Sequence, residues 1–262
     1  MVEFTLPESS RIQPGHHHSA DPPPTDPLIV RIYRYDPEQS APPRLDGFEL
    51  DGAEAGPMVL DLLIQIKATQ DSSLAFRRSC REGVCGSCAM NINGKNTLAC
   101  TQPVSALKGP INIYPLPHLR VIKDLIPDLS TLYRQYAAIE PWLKTEEASL
   151  TQFEQRQTVD QRQQLEGLVE CVLCACCSTS CPSYWWHDGA YLGPAVLLQA
   201  QRWLKDSRDQ AREERLRALD DPLKLFRCHT IMNCTDTCPK GLNPAKAIAD
   251  IKRQVSRLPQ KP

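Results

Sequence analysis

Two cysteine runs in the second half of the chain constrain its fold more than any other feature. "CVLCACCSTSCP" places Cys171, Cys174, Cys177 and Cys181-Pro182 at C-x2-C-x2-C-x3-C-P, with Cys176 out of rhythm. Laid over "CHTIMNCTDTCP", the same template falls on Cys228, Ile231, Cys234 and Cys238-Pro239. The second run therefore repeats the first with one cysteine replaced by isoleucine. This spacing is an iron–sulfur pattern in which the fourth cysteine of a run serves the other of two clusters. Crossing the fourth ligands gives Cys171, Cys174, Cys177 and Cys238 as four thiolates for a [4Fe–4S] centre. Cys228, Cys234 and Cys181 then make a set of three. An isoleucine side chain cannot hold an iron, so that set suits [3Fe–4S]. Cys176 is left as a bystander. A zinc site or a disulfide framework is the competing reading, and it leaves both x3-C-P endings unexplained.

Nearer the N-terminus, "FRRSCREGVCGSCAMNINGKNTLAC" sets Cys80, Cys85, Cys88 and Cys100 at C-x4-C-x2-C-x11-C. C-x4-C-x2-C with a later fourth cysteine is the plant-type [2Fe–2S] pattern. Gly83 and Gly86 allow positive φ, as a loop wrapping an anionic cluster with its N–H groups requires. Arg77, Arg78 and Arg81 supply positive charge nearby. The alternative is a four-cysteine zinc site, but such sites usually pair two short knuckles and only one C-x2-C is present here.

Twelve cysteines in a chain of 262 residues would be poor disulfide candidates in a reducing compartment and good metal ligands. A reducing compartment is the expectation, because Met1–Asp26 has no basic start followed by an apolar run, and Glu3 and Glu8 argue against a transit peptide. A net charge of −1 gives no reason to expect a nucleic-acid partner. No apolar stretch is long enough to cross a bilayer. There is no G-x-G-x-x-G, no P-loop and no nucleophile motif, so no catalytic residue is assigned. Three protein-ligated clusters make a relay for single electrons, with the substrate chemistry carried by a partner.

The pattern along the chain predicts an α+β architecture. Residues 1–27, with six prolines and the His16-His17-His18 run, read as a flexible, solvated lead. Residues 28–120 read as a plant-type [2Fe–2S] ferredoxin-like (β-grasp) domain. Its expected parts are a strand over Leu28–Tyr35, a turn at Asp46-Gly47 and a helix from Pro57 carrying Val59, Leu62, Leu63 and Ile66. Strands at Asn96–Thr101 and Ile111–Pro115 complete it. Residues 121–262 read as a mostly helical, bacterial-ferredoxin-like domain. Asp128 is the expected cap of its first helix, and further helices are expected over Thr151–Val169, Pro194–Lys205, Arg208–Leu219 and from Pro244 to about Arg257. The cysteine runs fall in loops between them.

Taken together, "FRRSCREGVCGSC", "NGKNTLAC", "VIKDLIPDLS", "CVLCACCSTSCPSYWW" and "FRCHTIMNCTDTCPKGLNP" resemble the iron–sulfur subunit of succinate dehydrogenase (complex II) from about Leu28 to Arg257. The resemblance implies a flavoprotein partner with covalent FAD that oxidises succinate to fumarate. Electrons would pass through [2Fe–2S], [4Fe–4S] and [3Fe–4S] to ubiquinone, where the chain meets two membrane-anchor subunits carrying haem b. It also implies that Pro182, Ser183, Trp186, His229 and Ile231 line the quinone pocket. Trp185 and Trp186 otherwise read as packing or interface residues, and His229 as a structural histidine. The implied location is the cytoplasmic face of a bacterial inner membrane, with the mitochondrial matrix face as the alternative. The competing functions are the iron–sulfur subunit of quinol:fumarate reductase, a free-standing ferredoxin-like carrier and a zinc-stabilised structural protein.

Overall fold

The computed structural model describes residues 11–39, 41–145, 154–187 and 189–259. The first ten residues of the expected lead, and Thr151–Phe153 of one expected helix, lie outside them. The chain divides into two compact units, Met1–Asp128 and Leu129–Pro262.

The first unit is built on a six-stranded mixed sheet. Its strands are β1 (Gln13–His18), β2 (Pro27–Arg34), β3 (Arg44–Asp51), β4 (Ala89–Ile92), β5 (Lys95–Leu98) and β6 (Ile111–Tyr114), in the order β1-β3-β2-β6-β4-β5. Val30, Ile32 and Arg34 alternate inward on β2, as Asp46, Phe48 and Leu50 do on β3, with Val30 paired to Phe48 and Ile32 to Asp46. Helix α1 (Val59–Thr69) buries Val59, Leu62, Leu63 and Ile66, the apolar stripe seen in the sequence, together with Leu60. Pro57 lies just outside it, with Met58 at the N-cap position.

Three expectations for this unit are corrected. Gln13–His18 is an edge strand parallel to β3 rather than part of a solvated lead. There the His16 N–H donates to Asp46 at 2.8 Å, and the His18 ring stacks on Phe48 with centroids 4.5 Å apart. Asp46-Gly47 lies inside β3, not at a turn. Asp46 is buried at mid-strand because Arg34, Arg44 (2.9 Å) and the His16 amide compensate its carboxylate. The unit also runs past residue 120, through the short strands β7 (Val121–Lys123) and β8 (Ile126–Pro127). Asp124 between them accepts from Arg34 Nε (3.1 Å) and from the amides of Tyr35 and Ala75, which fastens this segment to the sheet.

The second unit is helical: α2 (Ser130–Ala137), α3 (Val159–Gln163), α4 (Cys176–Thr179), α5 (Pro182–Trp186), α6 (Gly193–Lys205), α7 (Arg212–Leu219), α8 (Asn233–Asp236) and α9 (Pro244–Val255). Leu129, not Asp128, occupies the N-cap of α2, and no side chain caps that end. Helix α6 is buried along nearly its whole length and packs on α9. Between them Leu198, Leu242 and Ala247 form an apolar cluster against which Cys171 and Cys238 pack, although 67 residues separate the two cysteines (238 − 171).

Candidate metal centres

In the first unit a hairpin sets the inner pair of cysteines side by side. Asn93 and Gly94 both take positive φ (47° and 85°), as a two-residue type I′ turn requires, and Ala89 pairs with Leu98. Cys88 enters β4 and Cys100 follows β5, both buried, with the Ala99 amide donating to the Cys88 carbonyl at 3.1 Å. The first turn of α1 braces the same segment, since the Leu60 and Val59 amides donate to the carbonyls of Ala99 (2.9 Å) and Gln102 (3.0 Å).

The outer pair lies on an open loop. The amides of Val84 and Cys85 each point at Cys80 Sγ, 3.3 Å away. With the Glu82 amide foremost, then the Cys85 amide and thiol and the Val84 amide, they hold the Cys80 thiol down at about 6. Burial pushes the Cys88 thiol up to about 12 when no metal is bound. Gly83 and Gly86 adopt φ of 72° and 71°, the positive values expected of them. A Cβ at Gly83 would also meet Thr101 Cγ2 at 2.9 Å. The arginines are more occupied than the sequence suggests: Arg81 pairs with Asp61 of α1, and Arg77 donates to the Pro127 carbonyl at 2.8 Å.

In the second unit the two cysteine runs adopt the same backbone. Leu173 and Ala175 in the first run have φ of 52° and 68°; Thr230 and Met232, at the same template positions in the second, have 58° and 75°. Each run then enters a four-residue helix, α4 or α8, that carries the third template cysteine, Cys177 or Cys234. Ile231 therefore occupies the position that Cys174 holds in the first run. The runs are tied to each other by Asn233 Nδ2 donating to the Ser180 carbonyl at 3.2 Å and Ser180 Oγ to Thr237 Oγ1 at 3.4 Å.

The thiols sort into two neighbourhoods. Burial raises Cys171 and Cys177, and both interact electrostatically with Cys174 and Cys238. Burial also raises Cys181 and Cys234; Cys181 interacts with Cys228, and Cys234 with both Cys181 and Cys228. Cys177 additionally interacts with Cys234, so the neighbourhoods adjoin. Cys176 is fully buried beside the first, and its thiol, donating to Cys174, holds Cys174 down.

The donor sets fit clusters better than single ions. Four thiolates around one tetrahedral zinc at about 2.3 Å stand about 3.8 Å apart. Among the described residues, the one group of three or more His, Cys, Asp or Glu ligand atoms within 4.8 Å of one another is His18, Asp46 and Asp71. Arg34 already bonds to both of those carboxylates. The cysteine sets are more open than a mononuclear site, as thiolates around a multi-iron core must be.

A hollow of about 330 Å³ opens at the three-thiol neighbourhood. It brings together Pro182, Ser183, His229 and Ile231 with Cys181, Cys228 and Cys234; Trp186 is not among its lining residues and is 73% exposed at the surface. Ile231 is 47% exposed and His229 is also exposed, whereas Ser183 is buried. Trp185 turns inward, donating from Nε1 to the Thr179 carbonyl at 2.8 Å. The hollow also contains Tyr191, a residue the spacing of the cysteines gave no reason to single out. A larger hollow of about 490 Å³, bounded by Ala138–Glu140 and α7, holds no cysteine, and its carboxylates Glu140 and Glu214 are paired with Lys144.

Comparisons with known proteins place two iron–sulfur domain families along the chain. The model of the 2Fe-2S iron-sulfur cluster binding domain family matches residues 29–134, and that of the 4Fe-4S dicluster domain matches residues 170–243. The succinate dehydrogenase iron-sulfur subunit of Paracoccus denitrificans is 56% identical over 255 residues, which cover 97% of this chain and 98% of the relative. A chain of the Mycobacterium smegmatis Sdh1 complex in the apo form shares the fold, with a TM-score of 0.79 at 24% identity, over 88% of this chain and 96% of that one. A hypothetical protein from Helicobacter pylori is a more distant fold relative, with a TM-score of 0.55 at 18% identity over 90% of this chain and 41% of that one.

Proposed function

Since the chain belongs to the family of succinate dehydrogenase iron–sulfur subunits, we propose that it relays single electrons from a flavoprotein's FAD through [2Fe–2S], [4Fe–4S] and [3Fe–4S] centres to ubiquinone. It is an α+β electron-transfer subunit of that enzyme complex, with a 2Fe-2S domain followed by a 4Fe-4S dicluster domain, and the complex implies a flavoprotein and further subunits. In our reading the further subunits are two haem b-bearing membrane anchors. The chain is a peripheral subunit; among its described residues no helix is long and apolar enough to cross a membrane. We place it on the cytoplasmic face of a bacterial inner membrane, a choice supported by its likeness to a bacterial subunit.

One observation carries the reading: two runs share a backbone, and the position of Cys174 in one is taken by Ile231 in the other. When bound, each cluster would accept and release one electron with its thiolate ligands unchanged. Cys80, Cys85, Cys88 and Cys100 would hold the first, and Cys171, Cys174, Cys177 and Cys238 the second. Cys181, Cys228 and Cys234 would hold the third, with Ile231 excluding a fourth iron. Amides aimed at Cys80 Sγ favour its thiolate form. Pro182, His229 and Ile231, which line the hollow beside the three-thiol set, would admit the quinone ring, and the exposed Trp186 would contribute from outside that hollow. Ser183, buried there, would line the floor of the pocket.

Low-temperature EPR of the complex purified from membranes tests this. The oxidised complex is expected to show a three-iron signal that vanishes on reduction, when a [2Fe–2S] signal appears. An oxidised complex with its full complement of iron and no three-iron signal would refute the three-thiolate assignment.

A further inference from the structure

Tyr191 is fully buried, and its hydroxyl has no hydrogen-bond partner among the protein's own groups. Leaving a buried phenol unpaired is costly, and buried tyrosine hydroxyls normally find an acceptor. The side chain is not loosely placed. Its backbone carbonyl accepts from Gln135 Nε2 at 2.9 Å, Gln135 Oε1 in turn accepts from the Tyr184 hydroxyl at 2.8 Å, and its amide donates to the His187 carbonyl at 3.2 Å. It lines the same hollow as Cys181, Cys228 and Cys234.

We propose that the Tyr191 hydroxyl donates a hydrogen bond to sulfur of the cluster held by Cys181, Cys228 and Cys234, and so raises the potential at which that centre takes its electron. The inference rests on the three-thiolate reading above. Hydrogen bonds to the sulfurs are among the factors that set the potential of such a centre. In the one-electron step no bond is made or broken and no proton moves. The electron arrives from the four-thiolate centre and leaves to the quinone, and while it resides on the cluster the sulfurs carry more negative charge. A fixed donor therefore binds the reduced form more strongly than the oxidised one. Tyr191 acts through the cluster's sulfur and is a positioning residue in this sense.

The test is an EPR-monitored redox titration of the intact complex with Tyr191→Phe. At an ambient potential equal to the wild-type midpoint, the reduced-to-oxidised ratio of the three-iron centre is expected to fall about fivefold, roughly 40 mV for a one-electron couple. Its signal in the oxidised complex should keep wild-type amplitude, and the [2Fe–2S] midpoint should not move. Equal three-iron midpoints in the two proteins, at full signal, overturn the proposal. If phenylalanine prevents the centre from forming, 3-fluorotyrosine at position 191 decides instead. Its hydroxyl is the stronger donor, so an upward shift supports the proposal and an unchanged midpoint overturns it. A wild-type complex without any three-iron signal is a different result, because it refutes the three-thiolate reading itself.

Discussion

Ile231 and Cys176 are the two residues at which the cysteine template departs from strict repetition, and each makes a separate prediction. Ile231 has the backbone setting of Cys174, flanked by left-handed residues on both sides, and its side chain is half exposed. Ile231→Cys should therefore supply a fourth thiolate without disturbing the core, at a stability cost within about 0.5 kcal/mol. The expected outcome is loss of the oxidised three-iron EPR signal, a new four-iron signal on reduction, and one more iron per chain by metal analysis. An unaltered three-iron centre would undo the overlay of the two runs. Cys176 is closer to a proposed ligand than its odd spacing suggested, because its thiol donates to Cys174. Serine keeps a donor there, so Cys176→Ser should retain all three centres, with spectral change confined to the four-thiolate one. Loss of that centre would make Cys176, not Cys174 or Cys177, a ligand. The shared template of the two runs was legible in the sequence because both carry cysteines at the same short intervals, and their matching backbone follows it. Tyr191 was not, since a lone tyrosine ten residues beyond Cys181 acquires its meaning only when α6 and the second run enclose it.

Helices and strands with an uninterrupted apolar period were legible as well, and β2, α1, α6 and α9 stand close to their expected places. The misplaced elements share a cause: charged or turn-forming residues whose partners are distant in sequence. Asp46 sits at mid-strand only because Arg34 and Arg44 neutralise it, and β1 pairs despite Pro14 and Gly15 because Asp46 and Phe48 receive His16 and His18. The same network makes an acid-sensitive joint. Burial alone would raise the Asp71 pKa, but the Ser73 hydroxyl, Arg34 and the Ser73 amide outweigh it and hold the carboxyl at about 2. This folded value lies below the ordinary carboxylate value of about 3.9, so the stabilisation is complete above about pH 4 and is lost as pH falls through about 2. Asp71→Asn is expected to be less stable by about 1 kcal/mol near neutrality, allowing for partial solvent screening, with the gap closing between pH 4 and 2. Urea unfolding followed by circular dichroism across that range measures it; a constant gap would contradict the assignment. In the helical unit, Arg215 on α7 clasps the carbonyls of Ile139 (2.9 Å), Glu140 (2.8 Å) and Trp142 (2.6 Å) and pairs with buried Asp209 at 2.8 Å. Arg215→Met leaves that carboxylate without its cation and should cost about 3 kcal/mol. A thermal scan should show a melting temperature lower by about 10 °C.

The two units differ in how their centres depend on chain continuity. Every candidate ligand of the [2Fe–2S] centre, Cys80 to Cys100, lies inside the first unit. The sheet that carries them closes its core with Val30, Ile32, Phe48 and the buried face of α1, and Asp124 fastens its last segment to Arg34. We therefore expect residues 1–128, produced alone, to fold and to bind two irons and two sulfides with the EPR signal of a reduced [2Fe–2S] centre. Placing the boundary at 120 instead removes Asp124 and leaves Arg34, only 4% exposed, without one of its carboxylates. Residues 1–120 should then be markedly less stable, by about 3 kcal/mol or more. The second unit cannot be divided in that way. In the proposed assignment Cys238 would complete the set begun at Cys171, and Cys181 the set begun at Cys228, so a cut between the runs would sever both sets at once. Separate fragments spanning 129–220 and 221–262 should bind neither cluster, whereas the uncut 129–262 unit keeps both sets of ligands together. Iron and sulfide analysis of the five fragments checks the whole scheme: a [4Fe–4S] centre retained by 129–220 alone would show that the fourth ligands do not cross.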